Sequence, residues 1–233
     1  MQEQFIRQTM ILGNDALTKL QQSHVAVFGI GGVGSFCAEA LARAGVGSLT
    51  LVDDDTVAES NLNRQLIALH STVGRPKVEV MAERIRDINP DCKVNTMYLR
   101  YDEDAKEQFF SKDYDYIADA IDSVSAKLSL IETAISRNVP IISSMGTGNK
   151  LDPTLFTVTD IYKTSGCPLA RVMRRELKKR GIQKHTVLYS PEEPCRPEQE
   201  LKEGSRPVPG SVSWVPSSAG LIIAGHIIRA LIK

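Results

Sequence analysis

The chain has 233 residues, of which 42% are hydrophobic and 24% are charged, a composition that is ordinary for a globular protein. Its 28 lysines and arginines balance its 28 aspartates and glutamates, so any affinity for nucleic acid has to come from a local patch. The first residues lack the apolar core of a signal peptide, and the apolar run over 221–233 is shorter than the about 20 residues of a membrane span. We therefore expect a cytosolic protein with no membrane segment.

Apolar strands and amphipathic helices alternate along the first two thirds of the chain. This alternation predicts an α/β fold with a Rossmann-like, doubly wound, mostly parallel sheet and antiparallel strands in the C-terminal third. We expect residues 1–150 to form an ATP-binding part and residues 151–233 a substrate-binding and dimerisation part of the same domain. The predicted elements, in chain order, are a helix over 14–22 capped by Asn14 or Asp15, a strand over 24–29, a helix over 35–45, a strand over 48–53, a helix from Pro76 to Asn89, strands over 93–99 and 114–122, a helix over 124–137, strands over 139–146, 155–161 and 185–190, a mobile proline-rich loop over 191–210, a lead-in segment over 211–220, and a terminal helix over 221–233.

The four cysteines, Cys37, Cys92, Cys167 and Cys195, are widely separated and form no C-x-x-C pair. This spacing argues against a structural zinc site and against a disulfide framework. We expect Cys37 and Cys92 to be buried thiols and Cys167 to be a bystander of the chemistry.

The stretch VFGIGGVGSF contains a G-x-G-x-x-G pattern between a predicted strand and a predicted helix. Glycines at these positions let a phosphate approach backbone N–H groups and a helix N-terminus. Asp53, at the end of the second predicted strand, is placed to bind a ribose hydroxyl. This much leaves a nicotinamide dinucleotide and ATP both open. The glycines concerned are Gly29, Gly31, Gly32 and Gly34.

The residues that follow favour a polyphosphate that is longer and more highly charged than the diphosphate of a nicotinamide cofactor. Asn61, Arg64 and Gln65 lie behind the second strand, and Lys77 begins the next helix, so cationic and amide donors gather near one edge of the sheet. Asp122 is expected to end the fourth strand at the same edge, where a carboxylate facing a triphosphate is suited to hold Mg²⁺. Taken singly, each charged residue is as well explained by a surface ion pair; together they favour a nucleotide site.

GIGGVG, D-x-D (Asp53 and Asp55), SNLNRQ, GRPKVE and DAIDS, in that order, resemble the ubiquitin-activating-enzyme superfamily over residues 5 to about 150. The resemblance implies ATP binding and attack of a substrate carboxylate on the α-phosphorus, which gives an acyl-adenylate and pyrophosphate. It also implies a homodimer in which Arg7 reaches into the partner's site. On charge alone, Arg7 is equally well explained as a surface residue.

DPT, VTD, KT and PLA in the final third resemble the tRNA threonylcarbamoyladenosine dehydratase branch of that superfamily. The resemblance implies that the free carboxylate of the modified adenosine beside the anticodon is adenylated and then cyclised. The alternative is an adenylyltransferase for the C-terminal glycine of a sulfur-carrier protein, which the missing C-x-x-C pairs disfavour. An inactive nucleotide-binding scaffold and an NAD-dependent dehydrogenase are weaker alternatives, and a sulfur-relay protein is an open partner.

Seven cations crowd one predicted helix and its exit and face a single acid, Glu176. Such charge runs are usually solvated helix faces, but a tRNA substrate favours contact with phosphates here. Trp214 is expected in the core or at a dimer interface rather than stacked on a base. The cations are Arg171, Arg174, Arg175, Lys178, Lys179, Arg180 and Lys184.

Overall fold

A computed structural model describes residues 3–199, 201–203 and 206–233. Seven strands form one sheet in the order β3-β2-β1-β4-β5-β7-β6, in which every neighbouring pair is parallel except β6 and β7. The predicted α/β class and the antiparallel strand in the C-terminal third are therefore confirmed. The strands are β1 His24–Phe28, β2 Ser48–Val52, β3 Lys93–Met97, β4 Tyr116–Asp119, β5 Ile141–Ser144, β6 Thr157–Asp160 and β7 Thr186–Tyr189.

Helices cover both faces of the sheet, because the central strands are apolar on both sides. Along β1, Val25 and Val27 belong to one core, whereas Ala26 and Phe28 belong to the other. The helices are α1 Ile6–Leu12, α2 Asn14–Gln22, α3 Gly34–Arg43, α4 Lys77–Ile88, α5 Lys106–Phe109, α6 Val124–Ser136, α7 Pro168–Lys179 and α8 Trp214–Leu231.

Several predicted boundaries differ from the structure. Helix α2 begins at Asn14 as expected, but Gly13 occupies its cap position and neither Asn14 nor Asp15 caps it. The predicted loop over 191–210 contains an antiparallel pair of short strands, β8 Leu201–Glu203 and β9 Arg206–Val208. Residues 200, 204 and 205 of this loop lie outside the described residues, and its mobility stays a prediction. The terminal helix already begins at Trp214, because proline is tolerated in the first turn of a helix, where its missing N–H has no partner to lose.

Helix α8 is long and apolar enough to cross a membrane when judged by length and composition alone. In the structure, Ile223, Ala224 and Ile227 are nevertheless buried in the core that contains α3 residues. Gly220 permits this packing, since a Cβ at that position would lie 2.3 Å from the carbonyl oxygen of Val33. These contacts are those of a core helix.

The strand order positions the site. The chain winds outward from β1 through β2 to β3 and then returns to β4 on the other side of β1. The carboxyl ends of β1 and β4 therefore border a crevice at the topological switch point, which is where ligands bind in open α/β sheets.

Candidate nucleotide-binding site

The glycine loop lies in this crevice. Gly29 directly follows β1 and has a φ of +87°, and a Cβ on it would lie 2.6 Å from the carbonyl oxygen of Ala120, just beyond β4. A Cβ on Gly34, the first residue of α3, would lie 1.7 Å from the carbonyl oxygen of Gly29. Only glycine fits at either position, so the loop lies flush against β4 and the N-terminus of α3 faces the crevice.

Asp53, the first residue after β2, ties the glycine loop to the next turn. One carboxylate oxygen accepts the Ile30 N–H at 2.6 Å, and the other accepts the Asp55 N–H at 2.9 Å. Burial raises the pKa of Asp53, while the Lys77 ammonium and the two N–H donors act in the opposite direction. Each oxygen keeps a further lone pair, so the predicted contact with a ribose hydroxyl is compatible with this geometry.

Lys77 begins α4 and is only 5% exposed. Its ammonium lies 2.6 Å from an Asp55 oxygen and 4.0 Å from an Asp53 oxygen. The carboxylate oxygens of Asp53, Asp54 and Asp55 lie within 4.8 Å of one another, so a metal ion bound there would compete with this ammonium. Asp53 and Asp55 therefore hold the Lys77 ammonium in place at the edge of the sheet. The sequence predicted that these two carboxylates contact the nucleotide.

Gln65 is aimed at the glycine loop. It is buried, its Nε2 lies 3.8 Å from the position of a Cβ on Gly31, and its Oε1 has no hydrogen-bond partner among the described residues. A buried amide oxygen without a partner is costly unless a ligand or water satisfies it. The neighbouring Asn61 instead stabilises its own turn, because its Oδ1 accepts the Ala58 N–H at 3.1 Å.

Arg64 lies beside the same loop through its backbone. Its carbonyl oxygen is 3.5 Å from the position of a Cβ on Gly32. Its guanidinium donates to the Ser60 carbonyl at 2.7 Å and to Asn63 Oδ1 at 3.0 Å. Both acceptors are uncharged, so a phosphate would offer this cation a stronger partner.

The prediction that Asp122 ends the fourth strand is wrong. Strand β4 ends at Asp119, and Asp122 is an exposed residue of the loop that leads into α6. This loop also contains Ala120, against which Gly29 packs, so Asp122 lies two residues beyond a contact with the glycine loop.

Sequence reasoning missed a buried polar network beneath that loop. Asp119 and Lys127 are fully buried and form an ion pair in which Lys127 Nζ lies 2.9 Å from Asp119 Oδ2. The angle between them is too poor for a hydrogen bond, and Lys127 Nζ has no other hydrogen-bond partner among the described residues. Asp119 also accepts the Ile121 N–H at 3.1 Å and the Ser143 hydroxyl at 2.6 Å, and His185 Nε2 lies 2.8 Å from that hydroxyl. The signal in the sequence was Lys127 itself, a lone cation among the apolar and small residues of α6.

The structure does not bring Arg7 to the site of its own chain. Arg7 is exposed on α1, and the adjacent Gln8 donates to the Ala44 carbonyl at 2.8 Å. Ala44 lies just beyond α3, whereas the glycine loop precedes that helix, about 15 Å away along its axis. This location is compatible only with a role in another subunit or with a surface role.

Loops from the final third border the crevice. Asn63 Nδ2 donates to the Ser211 carbonyl at 3.0 Å, and the Trp214 indole N–H donates to the Leu151 carbonyl at 2.8 Å. Trp214 does not lie in the core, because 51% of the residue is exposed. The alternative expectation, a place at a dimer interface, stays a prediction.

The cysteines behave as structural thiols where the sequence predicted this. Cys37, Cys92 and Cys167 are buried, while Cys195 is exposed. Burial raises the pKa of Cys37 to about 12 and that of Cys92 to about 11. These two thiols are therefore uncharged at neutral pH and unsuited to nucleophilic attack.

The fold and the crevice together define a nucleotide-binding α/β protein with its phosphate loop at the switch point of a doubly wound sheet. The chain belongs to the ThiF family, whose model matches residues 5–233. It is 46% identical to a tRNA threonylcarbamoyladenosine dehydratase of Bacillus subtilis, over 100% of this chain and 96% of that protein.

The fold also matches a crystal structure of Escherichia coli tRNA N6-threonylcarbamoyladenosine dehydratase in complex with ATP, with a TM-score of 0.90 and 37% identity. The match covers 98% of this chain and 93% of that one. The molybdopterin-synthase adenylyltransferase of Salmonella typhimurium is 36% identical over 65% of this chain and 61% of that protein. The sulfur-carrier type of relative is therefore the more distant one.

Proposed function

We propose that this chain is an ATP-dependent tRNA threonylcarbamoyladenosine dehydratase. The observation that carries the proposal is the 46% identity to a dehydratase over the whole of this chain. The ATP-bound relative of the same fold and the glycine loop at the switch point support ATP as the nucleotide.

The chemistry explains why ATP is needed. A free carboxylate is a poor electrophile because its oxygen is a poor leaving group. When the carboxylate attacks the α-phosphorus, pyrophosphate leaves and an acyl-adenylate forms. A nucleophile of the same modified adenosine then attacks the acyl carbon, AMP leaves, and the net change in the base is the loss of one water. Ring closure is intramolecular, so proximity contributes much of its rate and no cysteine nucleophile is required.

The site residues divide this work in our proposal. Gly29, Gly31, Gly32 and Gly34 expose backbone N–H groups and the α3 N-terminus to the phosphates, and Asp53 and Asp55 border the ribose. Asn61 and Gln65 contact the nucleotide. Arg64 and Lys77 stabilise the negative charge of the pentacovalent phosphorus, a preorganised contribution that is usually the largest in phosphoryl chemistry. Asp122, with its exposed carboxylate, would hold Mg²⁺, which would neutralise charge on the phosphate chain.

We also propose a homodimer. Met10 and Ile11 of helix α1 are 81% and 84% exposed to solvent. Exposed apolar side chains of this size are unfavourable in water, and a partner subunit that covered them would remove this contact with solvent. Beside helix α1 runs a groove of about 540 Å³ lined by Phe36, Leu66 and Leu221 among others. Arg7 lies on the same helix, so a partner that covers α1 would bring this guanidinium to a neighbouring site.

The tRNA is proposed to contact α7. Arg171, Arg175 and Lys178 are exposed on one face of this helix. Hydrogen bonds from Lys179 and Arg175 lower the pKa of Glu176 to about 2, so one acid offsets part of this charge. The helix begins beside Gly146 at the end of β5, which places its first turn one strand from the crevice.

The decisive experiment mixes the protein with ATP, Mg²⁺ and threonylcarbamoylated tRNA and examines the base by mass spectrometry. We expect loss of one water from the base together with release of AMP and pyrophosphate. Pyrophosphate exchange that depends on a sulfur-carrier protein and ignores tRNA would select the alternative adenylyltransferase. A sulfur-relay partner and a cytosolic location stay predictions.

A further inference from the structure

Trp214, the single tryptophan of the chain, is held in a fixed orientation at the surface. It begins α8, and its indole N–H donates to the Leu151 carbonyl at 2.8 Å. This bond satisfies the polar edge of the ring, while half of the residue remains exposed. An oriented aromatic ring loses little conformational entropy when a ligand covers it.

The residues around Trp214 connect it to the nucleotide crevice. Pro216 approaches the glycine loop, since its Cβ lies 3.2 Å from the position of a Cβ on Gly32. Ser211 accepts the hydrogen bond from Asn63, which is adjacent to Arg64. The segment that carries the indole is therefore attached to both the phosphate loop and the Arg64 turn.

The surface beside the indole is apolar. Leu151 and Leu155 are 54% and 42% exposed, and Leu151 contacts Trp214 through the hydrogen bond described above. Unpaired RNA bases bind proteins mainly by stacking on aromatic faces, whereas paired bases are not available for this contact. The adenosine that the proposed reaction modifies lies beside the anticodon, where bases are unpaired.

We propose that Trp214 is a stacking platform for a nucleobase of the RNA substrate, either the modified adenine or a base next to it in the anticodon loop. Stacking there orients the threonylcarbamoyl carboxylate toward the α-phosphate in the crevice. The inference rests on the proposed function, since that function supplies the RNA. The competing occupant of this surface is a second copy of the chain.

Intrinsic fluorescence tests the stacking directly, because all tryptophan emission comes from this one residue. The protein, saturated with ATP, is titrated with an RNA hairpin that has the anticodon stem and loop sequence. We expect saturable quenching, and little quenching by a fully paired RNA of equal length. Binding of the hairpin, measured by anisotropy of a labelled RNA, without a change in emission would overturn the proposal. This readout needs no turnover, so it can fail or succeed independently of the proposed reaction.

Kinetics give a second test. Because stacking of one base is worth about 1–3 kcal/mol, and about 1.4 kcal/mol is a factor of ten, we expect Trp214→Ala to raise the KM for RNA by roughly fivefold to 150-fold, with the KM for ATP unchanged. Trp214→Phe should restore most of the affinity. The matched control is Tyr98→Ala, which removes a 47% exposed aromatic residue just beyond the edge strand β3. Conversion of a dimer into a monomer by Trp214→Ala, seen by sedimentation, would assign the surface to a second copy instead.

Discussion

Arg64 and Asp122 lie in loops, and neither side chain is buried in the core. We therefore expect Arg64→Ala and Asp122→Ala to reduce formation of the cyclic base by at least about a hundredfold, as loss of a charge-stabilising group does. Thermal unfolding should stay within a few degrees of the wild type. The matched control is Asp104→Ala, an exposed carboxylate near α5. Near-normal turnover in either variant would contradict the placement of the site.

His185 stays neutral in the folded chain, because burial and the nearby Lys127 charge lower its pKa to about 3. In the unfolded chain, its pKa is about 6.5, so only the unfolded state gains a proton as the pH falls below that value. Stability therefore decreases between pH 6.5 and pH 3 by about 1.4 kcal/mol per pH unit from this residue.

Replacing His185 should remove this dependence. Between pH 7 and pH 4.5, the free energy of unfolding of the wild type should fall by about 3 kcal/mol more than that of His185→Gln. Urea unfolding at the two pH values measures this difference, and His70→Gln, at an exposed position, is the control. If the free energy of unfolding falls equally in the wild type and in His185→Gln, then protonation of this imidazole does not cause the loss of stability at acid pH.

At the scale of elements, the Asp119–Lys127 ion pair connects β4 to α6 below the loop that carries Asp122. Lys127→Met leaves a buried carboxylate without its counter-ion, and we expect a loss of about 3–5 kcal/mol in the free energy of unfolding. The double variant Asp119→Asn with Lys127→Met should recover most of this loss, because no buried charge is left unpaired. Denaturant unfolding measures the free energy of unfolding of both variants. If the double variant is no more stable than Lys127→Met, then the loss comes from altered packing and not from an unpaired buried charge.

The sequence predicted the elements that local rules govern and missed contacts between distant elements. Strand β1, the glycine loop and the start of α4 after Pro76 follow from apolar runs and helix-start signals. The end of β4 was misplaced because the apolar pattern continues through Ile121, beyond the last strand pairing at Asp119. Strands β8 and β9 were missed because proline and charged residues are rare in strands.

The predicted site residues came together only in part. Gly29, Asp53 and Gln65 converge because they follow neighbouring strands or the turn behind them. Local pattern could not show that Asn61 would accept a bond within its own turn, or that Trp214 would be exposed. Those outcomes depend on how α8 and the loops after β5 pack, which involves residues far apart in the chain.

At the scale of the whole molecule, Arg7 provides a test of the proposed dimer. If its guanidinium completes the partner's site, then the inactive variants Arg7→Ala and Arg64→Ala should complement each other when coexpressed. Half of the dimers are then mixed and each mixed dimer has one complete site, so about a quarter of the wild-type activity should return. No recovered activity from verified mixed dimers would contradict the assignment of Arg7 to the partner's site.

The packing of α8 against α3 has a consequence for biosynthesis. Helix α3 follows the glycine loop, yet the partner that covers its apolar side is made only after residue 213. Until then, the apolar side of α3 in a nascent chain has no α8 to cover it. Contacts of such long sequence separation form slowly, so the ribosome-bound chain is a natural client for chaperones until α8 emerges.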